Sequence, residues 1–81
     1  MIWDIEFSRE ASNYAIDSHP YNEQVLMAIE ELAFKPDGLP SKGSYQMLQD
    51  WCIWEIADHT VVYQIDPVIF HLYIWVVKPT E

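Results

Sequence analysis

The strongest constraint on the fold of this chain lies in its C-terminal half. Three runs, Trp51 to Ala57, Thr60 to Ile65 and Ile69 to Val77, are rich in Trp, Ile, Val and Tyr. Branched and aromatic side chains fit a pleated, half-buried surface, so each run reads as a strand. Asp58-His59 and Asp66-Pro67 interrupt the runs at hairpin spacing, which leaves no chain for a crossover. Consecutive strands must fold back on one another. Residues 45–49 are either a further short strand or the lead into the first of these. With 81 residues in all, residues 1–81 form a single domain with no room for a second core.

The N-terminal half supplies what covers the sheet. Ile2 to Phe7 alternates Trp3, Ile5 and Phe7 against Asp4 and Glu6, the period of two of a strand. Ser8 then offers a helix N-cap, with Glu10 in the first turn where the helix dipole favours an anion. Ala11, Tyr14, Ala15 and Ser18 follow at helical spacing, giving a helix over about residues 9–18. His19-Pro20 ends it, because the residue before proline is pushed out of the helical region. A second helix carries Tyr21, Val25, Ile29, Leu32 and Ala33 on one stripe and stops at Lys35-Pro36. The short joint predicts an antiparallel helical hairpin. The fold class is therefore α+β, in the order β-α-α-β-β-β, with the hairpin packed on one face of a mainly antiparallel sheet. Trp51, Tyr63 and Ile65 are expected to bury against Val25, Ile29 and Leu32.

Charge and composition exclude several functions. Four basic and thirteen acidic residues give a net charge of −9. Phosphate neutralisation needs clustered cations, whereas Arg9, Lys35, Lys42 and Lys78 are scattered, so direct nucleic-acid binding is not expected. The start, Met-Ile-Trp-Asp, has neither the basic nor the long apolar region of a signal peptide. Val68 to Val77 is too short to span a bilayer. The single cysteine gives no disulfide framework and fits a reducing, cytoplasmic setting. No cofactor and no metal site is expected. Asp58-His59 reads as turn chemistry, His19 as a helix-joint residue, and Glu23 with Glu30-Glu31 as a solvated helix face. Asp50 and Glu55 lie near Cys52 in sequence and oppose thiolate formation, so the cysteine reads as inert.

The segment Trp51-Cys52-Ile53-Trp54-Glu55-Ile56-Ala57-Asp58-His59-Thr60-Val61-Val62-Tyr63-Gln64-Ile65-Asp66 resembles, with about one residue more at the turn, the W-R-I-R-V-G-x-Y-R-V-x-Y-x-I run of the RelE/ParE superfamily of toxin–antitoxin toxins. Glu6-Phe7 with Ala11, Phe34-Lys35-Pro36, Leu48, and Val76-Val77-Lys78-Pro79 are similar to the family's opening strand, second-helix end, pre-tryptophan leucine and final strand. The resemblance implies a bacterial toxin-like protein of RelE/ParE-like fold. It departs at the functional positions. Where ribonuclease members carry arginines, Cys52, Trp54 and Thr60 stand here, and the terminal arginine is Pro79, with only Lys78 beside it. The tyrosine-bearing terminal segment of some relatives has no counterpart before Glu81. With the arginines that would stabilise phosphate charge replaced, no catalytic residue is assigned. The expectation is a toxin-like protein without ribonuclease activity; the alternative is a ribosome-dependent mRNA endoribonuclease with displaced catalytic residues.

Strand alternation suggests where such a protein would act. If Trp51, Ile53, Val61, Tyr63, Ile65, Phe70, Leu72, Ile74 and Val76 face the helices, the opposite face carries Cys52, Ile56, Thr60 and Gln64 together with Trp54, Val62, His71, Tyr73, Trp75 and Val77. That face is more apolar than a solvated sheet surface, and such patches mark partner surfaces. Trp54, Val62, His71, Tyr73, Trp75 and Val77 are the expected partner-binding set, with an antitoxin-like helix or a second copy as partner. The competing expectation is that the 36–44 loop, the N-terminus or the tail covers them.

Overall fold

A computed structural model describes residues 2–17 and 22–80. In chain order the elements are β1 (Asp4–Phe7), α1 (Arg9–Asp17), α2 (Glu23–Leu32), β2 (Ser44–Leu48), β3 (Trp51–Ile56), β4 (His59–Asp66) and β5 (His71–Pro79). The two helices pack on a five-stranded sheet of order β1-β5-β4-β3-β2. β2 through β5 form an antiparallel meander, and β1 lies parallel to β5. The sheet thus has one strand more than the sequence order predicts, because residues 44–48 pair as a full strand with β3. The expected helix joint at His19-Pro20 lies outside the described residues, as do Ser18 and Tyr21.

Local chemistry explains the helix ends. Ser8 caps α1: its hydroxyl accepts from the Ala11 backbone N–H at 3.1 Å, satisfying one of the orphan donors of the first turn. α1 lies over β5 and β1 and buries Ala11. α2 buries Val25, Ile29 and Leu32, the i, i+4, i+7 stripe of an amphipathic helix. Asn22, fully buried, donates from Nδ2 to the carbonyls of Tyr14 and Ala15 at 3.0 Å each and so ties the start of α2 to α1. Truncating Ile29 to Ala would cost about 2–5 kcal/mol, a large share of a small domain's stability.

The strands meet this core as Cys52, Trp54, Val61, Tyr63, Ile65, Leu72, Ile74 and Val77. The β3–β4 hairpin turns through Ala57-Asp58, one residue earlier than expected, with φ of 52° and 59° at the two positions. Positive φ at both central residues is the type I′ pattern, whose twist matches that of the strands. Ile56 therefore pairs with His59, and Trp54 with Val61. A two-residue loop makes every pair across it sum to an odd number. Odd-numbered Val61 and Tyr63 face inward, so even-numbered Trp54 and Cys52 must do so too. The expected outward positions of Cys52, Trp54 and Ile56 are corrected on that ground, as are the inward positions of Trp51 and Ile53.

Val77 is corrected for a different reason. The β4–β5 register steps from Val62↔Val76 to Tyr63↔Ile74, leaving Trp75 as an extra residue in a β-bulge. A bulge shifts alternation by one. Beyond it Val76 turns outward and Val77 becomes buried.

Candidate functional face

The helices cover one side of the sheet, and the 36–44 loop extends that cover rather than closing the other side. The Tyr63 hydroxyl donates to the Gly38 carbonyl at 2.9 Å, and the Trp54 indole N–H donates to the Lys42 carbonyl at 2.9 Å. Both are inner-face side chains. Gly43 fits against this indole because a Cβ there would collide with the Glu55 carbonyl oxygen.

Among the described residues, nothing lies over the opposite face. Cross-strand register sets its composition: Trp51 pairs with Gln64, Gln64 with Tyr73, and Ile53 with Val62, which also pairs with Val76. Trp75 stands in the bulge beside them and is 40 % exposed. An aromatic run results. The Tyr73 and Trp75 ring centroids lie 4.4 Å apart, Trp75 and Trp51 5.8 Å, and His71 and Tyr73 6.2 Å. Gln64 links the run to the β2–β3 turn, accepting from the Trp75 indole at 3.4 Å and donating to the Asp50 carboxylate at 2.7 Å. His71 Nε2 lies 3.1 Å from Glu6 Oε1.

Of the six expected partner-binding residues, Val62, His71, Tyr73 and Trp75 lie together on this face. Trp54 and Val77, at 1 % and 4 % exposure, lie in the core. Trp51, Ile53 and Val76 take their places. The odd-sum rule for a two-residue hairpin would have found Trp51 and Ile53; no signal in the Val76-Val77 pair marks the bulge.

The remaining candidates divide between core and rim. His59 is buried, with Nδ1 donating to the Ala57 carbonyl and Nε2 against the Tyr14 hydroxyl, both at 2.7 Å. It is a hydrogen-bonded core residue rather than a surface turn residue. Cys52 is fully buried, and burial pushes its thiol up from the ordinary range, with the Tyr63 hydroxyl acting in the opposite sense. Burial likewise pushes the Tyr63 phenol far up, reinforced by its hydrogen bond with Cys52. Thr60 is the one position of the three aligned with arginines that faces outward; it pairs with Lys78 on β5 and with Glu55 on β3. Asp4 and Glu6 flank the aromatic run from β1. No group of three His, Cys, Asp or Glu side chains among the described residues is placed to hold a metal ion. No described helix is long and apolar enough to cross a membrane.

Neither a protein-family model nor a curated protein sequence matches this chain.

Proposed function

We propose that the chain is a RelE/ParE-like, toxin-type domain that acts by protein–protein contact through its outer sheet face rather than by cleaving RNA. The observation that carries this reading is the run His71–Tyr73–Trp75–Trp51 on a face that no described element covers. Tryptophan and tyrosine anchor binding hot spots because they offer large rigid area at low entropic cost. Each such side chain contributes about 1.5–3 kcal/mol when fully buried. The surrounding charge is mainly acidic, from Asp4, Glu6 and Glu55 against the single cation Lys78 among the described residues of this face, in a chain of net −9. That charge opposes both RNA and a second copy of the chain, and it favours an apolar-faced helix of antitoxin type bearing lysine or arginine at its margins.

Induced expression in a bacterial host tests the reading. Growth arrest with full-length transcripts, relieved by Tyr73→Ser with Trp75→Lys, is the expected result. Shortened transcripts in arrested cells would instead favour ribonuclease action. Sedimentation of the purified chain at micromolar concentration reports whether the face is taken by a second copy.

A further inference from the structure

The outer edge of the sheet is a second binding element, independent of the face described above. β2 is one of the two terminal strands, opposite β1, and all five of its residues, Ser44-Tyr45-Gln46-Met47-Leu48, are exposed. Sheet edges are usually protected by lysine, proline, a bulge or a covering segment. β2 contains no charged residue and no proline, its pairing with β3 runs without a bulge from Ser44↔Glu55 to Leu48↔Trp51, and nothing described covers it.

Hairpin geometry identifies the free backbone groups. The pair closing a two-residue hairpin is hydrogen-bonded, and such pairs alternate along an antiparallel ladder. Leu48, Gln46 and Ser44 therefore spend their N–H and C=O groups on β3, while Tyr45 and Met47 direct theirs outward. Met47 also lines a cavity of about 500 Å³ on the helix side of the sheet, together with Trp3, Leu39 and Phe70. Asp37 and Asp50 stand in its wall, and no cation is among its described lining residues.

We infer that β2 receives an extended segment of another polypeptide as a sixth strand, with an apolar side chain seated in this cavity and flanking lysine or arginine residues met by Asp37 and Asp50. Backbone pairing supplies affinity in strand addition, and pockets for alternate side chains supply specificity. The rim carboxylates select for cationic flanks and against acidic ones.

The test uses a blocked peptide, Lys-Lys-Val-Phe-Val-Lys-Lys, with the intact chain. Saturable binding by calorimetry, with slowed hydrogen exchange at the Tyr45 and Met47 amides, is the expected result. Proline removes an outward N–H without disturbing the inner ladder. Tyr45→Pro should thus weaken binding about tenfold or more, against less than about threefold for Tyr45→Ala. N-methylating the three central peptide amides should abolish binding to the unaltered protein, which keeps the test valid if the proline variant fails to fold. Trp75→Lys should leave binding unchanged, separating this edge from the outer face. No saturable binding up to about 1 mM, equal binding by the peptide with glutamate for lysine, or equal losses in the alanine and proline variants would overturn the inference. So would self-association of the chain that Tyr45→Pro abolishes, since the edge would then belong to a second copy.

Discussion

The Ser8 hydroxyl donates a 2.6 Å hydrogen bond to the carbonyl of Trp75. One side chain thereby caps α1 and satisfies the backbone carbonyl of the extra residue in the β-bulge, beyond which Val76 turns outward and Val77 inward. The contact joins the first turn of the first helix to the last strand, 67 residues away. It also couples a helix cap to the geometry of the candidate binding surface.

Ser8→Ala should remove both bonds. Loss of an N-cap costs about 0.5–2 kcal/mol, and leaving the Trp75 carbonyl unsatisfied adds to it. A total of about 1–3 kcal/mol is expected by chemical denaturation, with a change in Trp75 fluorescence in the folded state. An unchanged midpoint would show that the bulge does not depend on this bond.

The two sheet faces should respond oppositely to truncation. Trp54→Ala empties a fully buried site and should cost about 3–5 kcal/mol. Trp75→Lys removes ring contacts with Tyr73 and Trp51 but leaves no cavity, so about 1 kcal/mol is expected. Circular dichroism melts of the two variants check this. The reverse ranking would mean that the faces have been exchanged.

The β3–β4 turn holds Ala57 and Asp58 at positive φ, which costs a non-glycine residue about 1–2 kcal/mol. Asp58 is exposed, so Asp58→Gly should raise stability by about 0.5–1 kcal/mol after glycine's own entropic cost. Asp58→Val should lower it, because a branched residue tolerates this conformation poorly. Melting temperatures of the three proteins decide the matter.

Alkaline pH should unfold the protein through the Cys52–Tyr63 pair. Both groups titrate above their ordinary values in the folded state. The unfolded thiol and phenol ionise near about 8.5 and 10, where the folded ones remain protonated. Stability is then fully present below about pH 8.5 and falls as pH rises through and beyond the unfolded values. Denaturant midpoints between pH 7 and 11 should show this decline, with a shallower slope in Cys52→Ala. The buried thiol should also resist alkylation in the native state.

Much of the fold follows from local pattern. Ser8 followed by the Ala11 spacing marks α1, and Val25, Ile29 and Leu32 mark the buried stripe of α2, since a helix can bury only the residues its period aligns. Tight interruptions near residues 58 and 66 impose the meander, because a parallel partner needs a crossover that the chain between those strands is too short to form. Turn length alone sets Trp54 against an inward residue of β4.

Tertiary contacts decided what alternation left open. Both faces of β3 to β5 are apolar, so strand periodicity cannot say which face receives the helices. That choice rests on long-range contacts such as Tyr63 to Gly38 and Trp54 to Lys42. Val76 and Val77 are chemically identical, and only the bulge fixed through Ser8 sends one outward and the other into the core. His59 is buried because Tyr14 of α1, 45 residues earlier, closes over it. β1 likewise joins β5 and forms one edge of the sheet, through pairing that no local period encodes. The candidate surface is therefore a product of assembly: the sequence supplies its aromatic side chains, and packing selects the face that displays them.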